Sequence, residues 1–179
     1  VCSESSEVTE DPGAELRLVS RLLAGDEGAI GGIYELYRDR IFAFCVAMLG
    51  NRQEAEDATG EVFIRLMKRY ASIDRPEFFK AWLFRIARNH CIDRTRARRP
   101  VPELPTLESM QDRDSSVRVA VRSALALLPK KYREVIILID LEGFSQPDAA
   151  AVIGIRSVTA LKQRLYRARR KLRALLPET

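Results

Sequence analysis

"FSQPDAAAVIGIRSVTALKQRLYRARRKLRALL", Phe144 to Leu176, decides how this chain is read. Its second half, from Ser157 onward, holds seven Lys or Arg and no acid. Such a run is a solvated charged helix, a helix lying on a membrane surface, or a helix that reads a nucleic acid. Val158, Leu161, Leu165, Ala168, Leu172 and Leu175 recur at steps of three and four, so they share one helical face. Thr159, Lys162, Gln163 and Tyr166 fall on the opposite face. One side wants a core; the other offers cations, an amide, a hydroxyl and a ring. Upstream, Ser145 is placed to cap a short helix, with Asp148 three residues on as in a capping box. Ala149, Ala150, Val152 and Ile153 fill that helix, and Gly154 breaks it. Short helix, glycine turn and longer helix with a polar outer face make a helix-turn-helix pattern.

Working outward, Val117, Val121, Ala124, Leu125 and Leu128 mark an amphipathic helix halted at Pro129. "YREVIILIDLE" gives the next helix, ended by Gly143, so residues 116–179 form one helical unit. Before it, residues 99–115 hold three Pro, scattered acids and no periodic apolar face. They read as a flexible linker, with a surface loop as the alternative.

Residues 14–98 form a second helical unit. Leu16, Val19, Leu22 and Leu23 make a short amphipathic start, stopped at Gly25-Asp26. Ile30, Ile33, Tyr34, Tyr37, Ile41, Phe44, Cys45 and Met48 stripe a longer helix ending at Gly50-Asn51. Val62, Phe63, Leu66, Met67 and Tyr70 mark a third, preceded by the acidic turn "QEAED". After the break "SIDRPE", a fourth helix carries Phe79, Trp82, Leu83, Ile86 and Ala87 as its apolar face. Residues 1–13 read as a disordered acidic tail. The fold expected is all-α: two small helical domains, the second a helix-turn-helix.

Composition narrows the function. Of 179 residues, 46% are apolar and only nine are Gly, which suits helical cores. The net charge of +5 is unevenly spread. Five acids and no base fall in the first fifteen residues, six Arg against one Asp in Arg85–Arg99, and eight bases without an acid in Arg156–Arg173. Segregated bases point to a polyanionic partner, the alternative being solubilising charge. Cys2, Cys45 and Cys91 have no paired spacing, so no disulfide scaffold is expected, and Cys45 reads as core. His90 is the only His and lacks further ligands at metal-site spacing, so no metal or other cofactor is expected. No apolar run approaches about 18 residues, and the acidic start is unlike a signal peptide. The expected setting is the cytoplasm, without membrane insertion of this chain. Nothing offers a catalytic constellation, so no enzyme is expected.

DNA-reading chemistry fits the outer face of the last helix. Lys donates to guanine O6 and N7, Gln pairs with adenine N6 and N7, and Thr or Tyr contacts phosphate or a thymine methyl. Arg164, Arg167, Arg169 and Arg170 flank that face, as phosphate-neutralising cations would.

Together these segments resemble an alternative bacterial sigma factor of the extracytoplasmic-function type. "QEAEDATGEVFIRLMKRY" and "AWLFRIARNHCIDRTRARR" are similar to that family's second conserved region. "LALLPKKYREVIILIDLEGFSQPDAAAVIGI" and "LKQRLYRARRKLR" are similar to its fourth. The resemblance implies binding to core RNA polymerase, recognition of the −35 and −10 promoter elements, and promoter opening. It places the clamp coiled coil of the largest polymerase subunit against Glu56, Asp57, Glu61, Val62 and Arg65. It assigns −10 contacts to Ile73, Asp74, Arg75, Phe78 and Phe79 in a base-capture loop, and to Arg85, Arg88, Asn89 and Arg94. Phe78 and Phe79 fit a core as well as a base pocket, and Trp82 aligns with the core face. It assigns −35 contacts to Arg156, Ser157, Thr159, Lys162, Gln163, Tyr166 and Arg167. It also implies an anti-sigma factor, often membrane-bound, as a further partner.

Two departures from the family pattern stand out. Thr59-Gly60 replaces an apolar residue followed by Gln, and Gly in a helix interior costs about 1 kcal/mol relative to Ala. Seven residues separate Gly154 from Leu161 where six is commoner, which calls for an extended turn with Ser157 as N-cap or a shifted helix start. The rival reading is a stand-alone helix-turn-helix regulator that binds duplex DNA without polymerase.

Overall fold

The structure, a computed structural model, describes residues 12–97 and 116–176, and every regular element among them is helical. The linker at 99–115 and residues 1–11 of the expected tail 1–13 lie outside the described residues, while Pro12 and Gly13, expected in that tail, begin the first helix. Four helices precede the gap: α1 (Pro12–Leu23), α2 (Ala29–Leu49), α3 (Arg52–Arg69) and α4 (Phe79–Ala97). Four follow it: α5 (Ser116–Leu127), α6 (Lys130–Ile136), α7 (Gln146–Ile153) and α8 (Val158–Leu175). A π-helical turn, Ile137–Leu141, continues α6.

In the first unit α2 is the central helix, packed by α1, α3 and α4. Ile33, Tyr37, Ile41, Phe44 and Cys45 are fully buried along it, as their periodicity requires. Tyr37 buries its ring against Phe79 and donates its hydroxyl to the Glu15 carboxylate of α1, so its polar end is satisfied. Gly50 ends α2 with φ of 72°, a conformation suited to glycine. Asn51 then caps α3, its side chain accepting from Glu54 N at 3.0 Å. The "QEAED" acids therefore lie inside the first turns of α3 and not before it.

Three apolar assignments of the first unit change. Met67 is 58% exposed, and Leu16 and Tyr34 are also exposed. Phe84, absent from the expected stripe of α4, is fully buried between Phe44 and Phe144. Trp82 and Ile86 pack at the edge of the core.

In the second unit Ser145 caps α7, accepting from Asp148 N at 3.2 Å, while its hydroxyl donates to the Asp148 carboxylate at 2.5 Å. Gly154, at φ 79°, ends α7 and turns the chain. Leu161, Leu165 and Ala168 are buried, whereas Val158 and Leu175 at the helix ends are exposed. Leucine burial on α6 and α7 leaves the basic face outward.

The two units also share one apolar core, which no local pattern announces. α4 packs on α7 and α2 on α6, and the Phe84 and Phe144 rings meet at 5.2 Å.

Gly60 sits inside α3, and a Cβ there would meet nothing within 4 Å. Its neighbour Thr59 is buried and returns its hydroxyl to Ala55 O at 2.7 Å. Gly60→Ala is expected to stabilise the fold by about 1 kcal/mol and raise the melting temperature by about 2–4 °C, measured by calorimetry.

Candidate nucleic-acid interface

The outer face of α8 is the more regular of two basic surfaces. After Gly154, Ile155 and Arg156 lengthen the turn, and Ser157 caps the helix in an extended conformation, accepting from Ala160 N at 3.3 Å. The extra residue is thus absorbed in the turn, and Leu161 keeps its place as buried anchor. Arg156, Ser157, Thr159, Lys162, Gln163, Tyr166 and Arg167 are all exposed, Tyr166 to 69%.

Not every flanking cation is presented in the same way. Arg169 is held by the Asp140 carboxylate through two contacts, the Nε one at 3.0 Å, and this hydrogen bonding raises the arginine's pKa. Arg164 reaches inward to Glu134 at 3.3 Å. Both tie α8 to α6 and its π turn, so they fix the helix that Lys162 and Gln163 present.

The second surface lies on α4 and the loop before it. Arg85 and Asn89, one turn apart, are exposed on one face of α4. Phe78 is 46% exposed at the loop, and the Arg75 guanidinium lies 5.0 Å from its ring centroid. Asp74 and Arg75 are exposed beside it. This is an aromatic platform with a cation, the arrangement on which an unstacked base can rest.

Four of the expected −10 residues stand elsewhere. Ile73 and Phe79 are buried, Phe79 completely, because the loop needs apolar anchors to close onto α2. Arg94 points towards Asp57 of α3 at 3.8 Å. Arg88 is bound to Glu134 at 2.8 Å. Of the two neighbouring rings, Phe79 therefore belongs to the core and Phe78 lies at the surface.

On α3, Glu56, Gly60, Ile64 and Met67 follow one another at steps of four, four and three and form an exposed stripe. Asp57 is exposed beside it, and Arg65 pairs with Glu61 at 2.9 Å, holding that carboxyl below its ordinary range. Val62 is fully buried, so it supports this surface from beneath. Ile64 and Met67 were missed as surface residues; their i, i+3 spacing continues the apolar pattern of the buried side, so only packing separates them.

His90 lies near Arg65, Glu61, Arg94 and Asp93; burial, then the Arg65 charge, lowers its pKa below the ordinary value. Cys45 and Cys91 meet across α2 and α4, and their mutual hydrogen bond and burial push the Cys91 thiol far up, so it stays protonated. Among the described residues no helix is long and apolar enough to cross a membrane.

Residues 33–101 match the Sigma-70 region 2 family model and residues 118–172 match Sigma-70, region 4. The chain is 32% identical to the ECF RNA polymerase sigma factor SigW of Bacillus subtilis over 88% of its own length and 94% of the relative's. The chain belongs to the extracytoplasmic-function (ECF) sigma factors. It is thus an alternative sigma factor, a promoter-recognition protein, and the stand-alone regulator is not favoured. Among solved structures, it superposes on CnrH, the Cupriavidus metallidurans sigma factor crystallised with the cytosolic domain of CnrY, at a TM-score of 0.67. That match has 31% identity and covers 90% of this chain and 96% of that one. The sigma factor RpoE of Bartonella quintana, bound to the anti-sigma factor NepR, gives 0.69 with 27% identity over 81% and 94%.

Two outcomes test the geometry. Ser157→Ala removes the only side-chain cap of α8 and is expected to cost about 1 kcal/mol in denaturant unfolding. For His90, a lowered folded-state pKa means that the unfolded chain binds more protons near and below pH 6.5, so stability falls as pH drops through that window. His90→Gln is therefore expected to flatten the loss of melting temperature between about pH 7.5 and 5.5.

Proposed function

We propose that this sigma factor binds core RNA polymerase and reads a promoter at two points, with 14–98 as the region-2 unit, 99–115 as linker and 116–179 as the region-4 unit. The observation that carries the reading is the presence, in one chain, of two separate DNA-type surfaces. One is the groove-sized helix face of Thr159, Lys162, Gln163, Tyr166 and Arg167, with Arg156 and Ser157 at its entry. The other is the aromatic platform of Phe78 with Asp74, Arg75, Arg85 and Asn89.

The two surfaces suit different substrates. A long helix with bidentate donors and an amide fits a duplex major groove, hence the −35 element. An exposed ring on a loop, with Asn89 able to donate and accept, fits unpaired bases of a melted −10 element. Capture of bases available only after strand separation favours the open state, so recognition itself supports promoter opening. Arg88 and Arg94 would join as phosphate contacts after leaving their acidic partners.

The α3 stripe of Glu56, Asp57, Glu61 and Arg65 around Ile64 and Met67 is the surface proposed for the clamp coiled coil of the largest subunit. Apolar centres with a charged rim are what protein interfaces use. The crystallised complexes of CnrH with CnrY and of RpoE with NepR support an anti-sigma partner here too. Such a partner would hold the chain in the cytoplasm, at the membrane where the partner is itself anchored. The chain acts by binding and not as an enzyme.

Purified chain with sigma-free core polymerase is expected to start transcripts at a promoter carrying matching elements; no association with core at low salt would end this reading. Lys162→Ala or Gln163→Ala is expected to relax −35 base preference by about 1–3 kcal/mol per contacted base, measured by competition binding. Asn89→Ala is expected to change −10 preference only. A uniform, purely salt-dependent loss in both cases would refute the base-reading roles.

A further inference from the structure

Arg169 lies at the edge of the outer face of α8, where the sequence places a phosphate contact, yet in the structure an acid occupies it. It donates from Nε to Asp140 Oδ2 at 3.0 Å and from Nη2 to Oδ1, so two N–H groups meet two carboxylate oxygens. Asp140 belongs to the π-helical turn Ile137–Leu141, in which Glu142 N donates to Ile137 O, five residues back, at 2.8 Å. Such turns are rare and recur at functional positions. The opposite flank of α8 is held too, where Arg164 reaches Glu134 of α6 at 3.3 Å. Arg164 and Arg169 are five residues apart, so they stand about 140° apart around the helix axis. They straddle the buried stripe of Leu161, Leu165 and Ala168.

That stripe alone does not fix how far α8 is rolled about its own axis. Apolar contact is non-directional. Ala168 offers a single methyl, Leu172 is half-buried and Leu175 is exposed. A guanidinium fork on a carboxylate, by contrast, has one preferred geometry. Side-chain tips stand about 5–6 Å from the helix axis, so a roll of about 10° moves them by about 1 Å. A recognition constellation has to be held within about 0.5 Å. The Asp140–Arg169 pair adds little to stability, since both side chains keep contact with water. An acid beside a DNA-facing helix also works against binding a polyanion. Neither stability nor affinity accounts for the pair, whereas its geometry does.

We propose that Asp140 is a positioning residue for −35 recognition: by gripping Arg169 it fixes the roll of α8, and thereby which base edges Lys162 and Gln163 meet. This rests on the reading of α8 as the −35 helix for its consequence, though not for the grip itself. Arg169 is then an internal strut of the second unit and not one of its phosphate contacts.

A template library randomised over the −35 and −10 segments, transcribed by the full chain with sigma-free core polymerase, separates the two preferences when the products are sequenced. Asp140→Asn is expected to lower −35 discrimination about tenfold at the bases met by Lys162 and Gln163, with −10 discrimination unchanged. Arg169→Lys, which keeps the charge but loses the planar fork, is expected to do the same. The charge swap Asp140→Arg with Arg169→Asp is expected to recover most of the loss. Melting temperatures of both single variants are expected to stay within about 2 °C of wild type. If Asp140 only masks a phosphate-binding arginine, Asp140→Asn gains DNA affinity at every sequence with a steeper salt dependence, and Arg169→Lys keeps the wild-type −35 preference. Either result would overturn the proposal, as would equal losses at −35 and −10. In the free chain, amide chemical shifts of α8 read its roll without DNA. Both single variants are expected to displace the same signals between Ser157 and Arg170, and spectra coincident with wild type would refute the grip. Shared displacements in a chain whose wild type has no −35 preference would instead remove the promoter reading and leave the grip standing.

Discussion

Two adjacent charged side chains, Arg133 and Glu134, are buried where the halves of the molecule meet, and any packing of the two halves has to provide partners for them. A guanidinium removed from water must find acceptors, and Arg133 finds the carbonyls that end α2 and α5, groups with no partner inside their own helices. Burial lowers its pKa, but its partners keep the charge affordable. Glu134 must likewise find donors, and it draws Arg88 and Arg164 inward from faces that otherwise point to solvent. Four helix positions are set by two residues of a single turn.

Around that junction the apolar packing is continuous. The rings of Phe44, Phe84 and Phe144 meet edge to face from α2 through α4 to the segment before α7. Tyr37, Phe79 and Trp82 form a second aromatic series inside the first unit. What these cores support are three outward surfaces: the α8 face, the Phe78 platform and the α3 stripe. Each consists of polar or isolated apolar groups carried on a helix or on the loop before α4, so the surfaces differ in chemistry while sharing one frame.

Much of this was legible in the residues. Gly154, Ser157, Ser145 with Asp148, and Leu161 and Leu165 of α8 act locally, through backbone conformation, capping and helical period, and each stands where its chemistry placed it. The outward face of α8, proposed to read the −35 element, was legible for the same reason: a helix with one apolar face has only one outward face. The residues proposed for the −10 element and the clamp were less so. Ile73, Phe79 and Val62 fit a family pattern by position yet are buried, while Met67 fits an apolar stripe yet is exposed. Period alone cannot distinguish the two sides of a helix whose neighbours lie on several sides.

The sequence by itself determined the helices, their caps, the helix-turn-helix and the outward polar face of α8, because these depend on residues within about two turns of one another. Only the tertiary structure decided which cations remain outward and which are taken, and that the two units touch at all. Arg88 and Glu134 are 46 residues apart, and Arg40 and Glu142 are 102. No local rule pairs residues at such separations; they meet because the apolar faces of α4 and α7 bury each other and carry the charges into contact.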